Sequence, residues 1–403
     1  MRFALLGNHP DGLEMAAALV QTGRHEIAAY TATIPEALLG NLGSAARAVR
    51  DLEEILSDPA IGAVIVAGSP VNRPAQLRRA LQSERDVLCV WPPDATPETA
   101  YEAAMIRDDT GRVLLPLLPA ALHPAFARLA TFTQGPGKNG EHGSPLGAFR
   151  LLEVERTAVA EILLNVEAGS GKPSFPGWEV LRRLGGEITE VFAFAADEEL
   201  TPGEPILLSG RFERSGLFQV TLLPGQPGPR WRYAVIGDRG RAELLFPQGG
   251  NGPAFLDWRD ESGALHEESW ERWDPWPILV EIFEASVMDN RAEPSSSSTL
   301  HAPRSTQQLS WQDAIRGLEL DDAARRSVGR RRASLLEYPE ASEEVGFKGT
   351  MTLVGCGILW GSLLLLVLSR WVPYLGWAIV PLLIVFLGLQ LLRYVVPDRR
   401  GPS

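Results

Sequence analysis

The sequence predicts an α/β protein in three parts: a doubly wound parallel sheet, a second α/β domain with an open, mostly antiparallel sheet, and a transmembrane helical hairpin. Three observations predict it. Short apolar strands alternate with helices over the first part of the chain, as in a sheet covered on both faces. A series of alternating strands joined by Gly- and Pro-containing turns follows. Two uncharged runs of membrane-spanning length end the sequence. The boundaries read from these changes are 1–120, 121–337, a juxtamembrane linker at 338–349, and spans at 350–369 and 375–395.

Residues 2–6 (RFALL) make the first strand, 7–12 a turn and 13–21 the first helix. Strands at 26–31, 63–67, 86–90 and 113–118 alternate with helices at 49–56, 74–83 and 97–108. The run 63–67 (AVIVA) is apolar throughout, as a strand buried on both faces requires. In the second domain, strands are expected at 146–157, 189–195, 206–212, 216–223, 230–236 and 241–246. Helices are expected at 126–131, 278–288 and 311–326, with another closing over 181–184. Residues 135–144 read as a loop, and the Ser- and Pro-rich stretch 292–308 as a linker or exposed loop. Trp270, Trp273 and Trp276 are either a stacking platform or a pin for the helix that follows them.

Residues 351–369 carry no charge and reach about 28 Å as a helix, close to the thickness of a hydrocarbon core. Residues 375–392 form a second such run. Trp371, Tyr374, Trp377 and Tyr394 lie near the run ends, where interfacial aromatics are favoured. Arg325, Arg326, Arg330, Arg331, Arg332 and Lys348 precede the first run, and Arg393, Arg399 and Arg400 follow the second; the connection holds only Arg370. The positive-inside rule then puts both flanks in the cytoplasm. The expected location is the inner membrane, with the lipid bilayer as partner and the soluble domains cytoplasmic. The apolar run at residues 3–6 is too short for a secretory signal.

A formal net charge of -12 argues against a nucleic-acid surface. Cys89 and Cys356 are far apart and have no metal spacing, so neither a disulfide nor a metal centre is expected.

The turn after the first strand reads Gly7-Asn8-His9-Pro10-Asp11-Gly12. A dinucleotide fingerprint wants glycine at its first, third and sixth positions and an acidic residue about twenty positions on. The outer glycines are present; His9 takes the middle place, where backbone should meet pyrophosphate. The second strand runs into Ala32, with no carboxylate for a ribose. Asp11 suits the helix dipole but competes with a phosphate for the same amides. The turn also reads simply as the closure of the first strand–helix unit.

From these residues onward the chain resembles the Gfo/Idh/MocA family of nicotinamide-dependent sugar oxidoreductases, over about residues 1–337. The resemblance rests on matches in order along the chain: Ser69-Pro70 after a buried strand, the segment Val87 to Pro92, His123-Pro124-Ala125-Phe126, the hairpin Gly237-Asp238-Arg239-Gly240, and Trp311 to Arg316. It implies a Rossmann domain holding NAD or NADP through the positions of Gly7, His9, Gly12, Ser69 and Pro70. It also implies a second domain with an open sheet. Its catalytic positions fall on Trp91, where the family has lysine, on Pro176, where it has the acid–base histidine, and on Glu179, where it has aspartate; its motif glutamate falls on Val90. Trp91 and Pro176 transfer no proton. The expectation is therefore a membrane-anchored, catalytically impaired homologue that binds nucleotide weakly or not at all and takes a small sugar-like ligand or a partner. The alternative is an active NAD(P)-dependent oxidoreductase acting on a sugar or polyol. His123, Glu179 and Lys172 are further candidates near the cleft, each also readable as structural. A homo-oligomer is a further expectation.

Overall fold

The computed structural model describes residues 1–335 apart from 32–33, 134–143, 159–174, 176, 197–203, 226–229, 248–249, 251, 261, 293–309 and 331–333. Ala32, Lys172, Pro176, the linker 338–349 and both expected spans lie outside the described residues. Among the described residues no helix is long and apolar enough to cross a membrane.

The first sheet contains β1 (Arg2–Gly7), β2 (Glu26–Thr31), β3 (Arg47–Ala48), β4 (Ala63–Ala67), β5 (Asp86–Val90) and β6 (Leu114–Leu117). They lie in the order β3-β2-β1-β4-β5-β6, with every pairing parallel. The direction of winding reverses between β1 and β4, which is where open α/β sheets bind ligands. Helices α1 (Pro10–Gln21), α2 (Glu36–Leu39), α3 (Leu52–Leu56), α4 (Arg73–Gln82) and α5 (Pro97–Thr110) connect the strands. The expected helix from residue 49 starts later. Arg47 and Ala48 pair with Ala29 and Tyr30 as an edge strand, and the Asp51 carboxylate caps α3 by accepting from Glu53 N at 3.0 Å.

The second sheet runs β14-β13-β12-β11-β7-β10-β9-β8-β15. Its strands are β7 (Phe149–Ala158), β8 (Ile188–Phe194), β9 (Ile206–Phe212), β10 (Leu217–Pro224), β11 (Arg230–Gly237), β12 (Arg241–Pro247), β13 (Ala254–Arg259), β14 (Leu265–Trp270) and β15 (Ser334–Leu335). All pairs are antiparallel except β7 with β10. Strands β13 and β14 escape a hydropathy reading because Asp257, Arg259 and Glu267 line their exposed side. The Gly237–Gly240 hairpin forms as the resemblance implies, closed by Gly237 N donating to Gly240 O at 2.9 Å.

Helices α6 (Pro124–Ala130), α7 (Trp178–Gly185) and the second half of α9 (Trp311–Arg330) cover the inner face of this sheet. Helix α8 (Trp276–Ala292) turns back to the first sheet, where Leu279, Val280, Phe283 and Val287 pack with Phe3, Leu5, Met15 and Leu19. On the opposite face of that sheet, Trp311, Ile315 and Leu318 of α9 join Val64, Val66 and Leu77. Residues Met1–Leu336 accordingly form one compact unit.

Candidate active site

The turn after β1 is built on β4. Gly7 has φ 114°, and a Cβ there would sit 2.1 Å from Ala67 O, so only glycine fits. Gly12 brings α1 against the same strand; a Cβ there would come within 2.3 Å of the Ala67 Cβ. Between them His9 N donates to Ala67 O at 3.0 Å. The outer glycines thus serve the tight turn and the close helix–strand contact.

The helix start itself is occupied by its own chain. His9 is the N-cap of α1, and its Nδ1 accepts from Asp11 N at 3.2 Å. Pro10, at the first helical position, has no N–H. Two donors that could face a pyrophosphate are therefore missing or engaged. The fit to a nicotinamide dinucleotide is partial: the glycine frame is present, and the imidazole must leave Asp11 N before a phosphate oxygen takes its place. The imidazole is partly exposed, with 26% of its side-chain surface open, so this movement costs about one helix cap, ~0.5–2 kcal/mol.

Beside this turn, β4 leads into Gly68 and exposed Ser69, whose carbonyl accepts from Asn72 N and Arg73 N at 2.9 and 2.8 Å. Pro70 lies within that turn. Arg73 is buried, a role that a helix reading RPAQLRRALQ does not reveal. Its Nε donates to Gly68 O at 3.1 Å and its Nη1 to Pro92 O at 2.5 Å, joining the loops after β4 and β5. Trp91 packs edge-on against Trp311, with ring centroids 5.1 Å apart, and belongs to the hydrophobic layer beneath the sheet. The Trp91–Pro92 bond is cis.

The second cluster surrounds the start of α7. Arg156, on the inner face of β7, is buried; its Nη2 donates to Tyr233 Oη at 2.6 Å. Its guanidinium lies over the rings of Trp231 at 4.1 Å and Phe175 at 4.9 Å. Gly177, with φ 141°, makes room for it, since a Cβ there would lie 2.5 Å from the same Nη2. Glu179 follows in the first turn of α7. Burial pushes its carboxyl up, against the opposing pull of Arg156 and Arg182. Burial also raises the Tyr233 phenol, again opposed by Arg156. Buried Asp321 accepts from Phe175 N at 2.8 Å and Trp178 Nε1 at 3.3 Å and pairs with Arg325, whose Nη2 donates to Ala95 O at 3.2 Å. This chain of contacts ties the start of α7 to the loop after Trp91. Arg156 and Tyr233 are missed in the sequence because each sits in an ordinary alternating strand.

His123 is fully buried rather than near a surface. Its Nδ1 caps α6 by accepting from Ala125 N at 3.1 Å, and Phe126, Phe246, Trp270 and Trp273 surround its ring. Burial pushes its pKa down to about 4. Trp270 and Trp273 thus pack on His123, whereas Trp276 joins the core under α8. Among the described residues no group of three or more His, Cys, Asp or Glu is placed to hold a metal ion.

No family model matches the sequence, and no curated protein matches it. Solved structures do resemble the fold. The 3-ketoreductase KijD10 from Actinomadura kijaniata, in complex with NADP, has a TM-score of 0.61 at 16% identity, over 81% of this chain and 97% of its own. Levoglucosan dehydrogenase, with NADH and levoglucosan, has 0.59 at 14% identity, over 84% and 100%. A super-repressor mutant of Gal80p from Saccharomyces cerevisiae has 0.65 at 12% identity, over 84% and 98%. One fold thus carries both reductase and repressor names, and function has to be argued from the site. By its fold, a parallel Rossmann-like sheet followed by an open, mostly antiparallel one, the described chain is similar to these solved structures.

Proposed function

We propose that the protein is an NAD(P)-dependent oxidoreductase acting on a sugar- or polyol-like substrate. The observation that carries this reading is the glycine-framed turn at the switch point, Gly7 and Gly12 against Ala67, in a fold whose relatives were solved with NAD, NADH and NADP. A bound nicotinamide supplies hydride chemistry. Gly7, Gly12, Ser69 and Pro70 would frame the nucleotide, and Arg73 would hold the two neighbouring loops at a fixed separation. Binding is proposed to be weak, with a dissociation constant above roughly 1 mM, which is about -4 kcal/mol. Titration calorimetry of the full-length protein with the oxidised and reduced forms of both nucleotides tests this. Weak saturable binding of one of them supports the reading; no binding at the highest attainable concentration sinks it.

A second reading is a ligand- or partner-binding protein without hydride transfer. It is favoured by Trp91, which is packed against Trp311 in the place of a lysine. Binding of a sugar with no nucleotide turnover would select it.

The proposal includes the C-terminal runs as a membrane anchor, with the body at the cytoplasmic face of the inner membrane; its support is the sequence alone. It also includes self-association. The support is the outer face of the second sheet, where Phe194, Leu207, Leu217, Leu223, Phe255 and Leu265 are exposed.

A further inference from the structure

We propose that Arg183 binds a carboxylate group of the substrate, so that the substrate is an acidic sugar of the uronate class. The inference rests on the oxidoreductase reading above and names the substrate class of that site. It starts from where α7 lies. The short helical turn Pro119–Leu122 follows directly on β6, at the carboxyl edge of the first sheet, and Arg183 Nη1 donates to Ala121 O within it. Arg325 Nη2 donates to Ala95 O, past the carboxyl end of β5, and Asp321 joins Arg325 to Trp178 at the start of the same helix. Helix α7 is thus held at the ends of β5 and β6. The glycine turn and Ser69 stand on that same edge, after β1 and β4. Adjacent strands lie about 4.8 Å apart, so β6 is roughly 10 Å from β4. A ligand on Arg183 lies beside the nucleotide frame and not on it.

Arg183 is half-buried and has no countercharge among the described residues. Each acid of α9 has its own arginine: Asp313 has Arg182, Glu319 has Arg316, Asp321 has Arg325 and Asp322 has Arg326. Glu179 shares a face of α7 with Arg183, one turn earlier. Burial favours its neutral form, and the arginines pulling against that are Arg156 and Arg182. His123, at the start of the neighbouring α6, is neutral above a pH of about 4. Burial accordingly lowers the Arg183 pKa with no acid opposing it, whereas three glutamates hold Arg232 up. The unused nitrogens of Arg183 are open: Nε and Nη2 make no hydrogen bond among the described residues and are not sealed from solvent. With Nη1 fixed on Ala121 O, that edge presents two parallel N–H donors, the fork that fits the two oxygens of a carboxylate. One positive charge balances one carboxylate, while a phosphate dianion keeps an excess. A neutral sugar covering the edge would bury the guanidinium further with no counter-ion, which is costly.

The test is calorimetric titration of the full-length protein with glucuronate, galacturonate and mannuronate, with their neutral uronamides, and with the corresponding hexose 6-phosphates. At least one uronate should bind about 10- to 100-fold more tightly than its uronamide, as hydrogen bonds to a charged group predict. Arg183→Gln keeps a donor for Ala121 O and should abolish that preference; Arg183→Lys should retain part of it. The contrast between uronate and uronamide is read on the wild type and stands whether or not Arg183→Gln folds. Equal binding of every uronate and its uronamide, or no saturable binding of any uronate, overturns the inference. A preference that survives Arg183→Gln also overturns it, as do 6-phosphates that bind roughly tenfold more tightly than uronates. Reduction of NAD or NADP by the uronates is followed separately. Uronate binding that depends on Arg183 but yields no reduced nucleotide removes the oxidoreductase reading and leaves the carboxylate site in place.

Discussion

His9 does two things that the spacing of a fingerprint cannot express. It fills the middle position of the turn, and it turns its imidazole back onto Asp11 N. The glycines at 7 and 12 are legible in the sequence because their role follows from position alone. A cap depends on a side-chain rotamer and is visible only in three dimensions. His9→Gly should release the Asp11 amide while leaving a residue that N-caps tolerate. NAD or NADP affinity should then rise roughly two- to thirty-fold, the equivalent of ~0.5–2 kcal/mol. Calorimetric titration of the variant against wild type checks it, and unchanged affinity would mean that Pro10 or Trp91 limits binding instead. Trp91 shows the same limit of a sequence: replacement of a lysine can be read, but its packing on Trp311, some 220 residues later, cannot.

At the scale of elements, the seat of α1 on β4 is set by one glycine. Gly12→Ala forces a methyl group to within 2.3 Å of the Ala67 Cβ, an overpacking expected to cost about 1–3 kcal/mol. Ala67→Gly in the same chain should restore most of that loss, measured by urea denaturation; a strictly additive double variant would refute the contact. The cap of α6 yields a pH dependence. His123 has an ordinary pKa of 6.5 and a folded value of about 4, because burial disfavours its cation. Between those values the unfolded chain binds more protons, so stability falls as the pH drops from 6.5 towards 4, by up to about 3 kcal/mol. His123→Asn keeps an N-cap acceptor that does not titrate in this range. Its denaturation midpoint should be flatter across this window than that of wild type, and an unchanged slope would assign the effect to other groups. Strands such as β4 and β9 were legible because their burial pattern is written in apolar residues. Strands β13 and β14 were not, since their solvent side carries charges that also suit loops.

For the molecule as a whole, the two sheets share their helices. Helices α8 and α9 belong, by sequence position, to the second domain, yet they close opposite faces of the first sheet. Phe283→Ala, a deletion in the layer that α8 makes with Phe3 and Met15, should cost about 3–5 kcal/mol. It should lower the midpoint of the whole unit rather than of one domain. Separate transitions for the two halves, seen by calorimetry, would contradict this. Domain order was legible because the hydrophobic period switches along the chain; the returning helices were not, because periodicity tells how much of a helix is buried but not against what. The charge-free runs predict retention of the protein in the membrane pellet after alkaline carbonate washing, and release into the supernatant would remove the anchor from the proposal.

The return of α8 and α9 also sets a timetable for synthesis. Strands β1 to β6 have all been translated by residue 117, but their two apolar faces gain their last covers only with Phe283, Val287, Trp311 and Leu318. For the time it takes to make about two hundred more residues, the nascent chain carries an uncovered sheet. Such contacts, distant in sequence, form slowly and leave apolar surface open to aggregation meanwhile. A chaperone bound to the growing chain should therefore hold the first 120 residues and release them only after α9 has emerged.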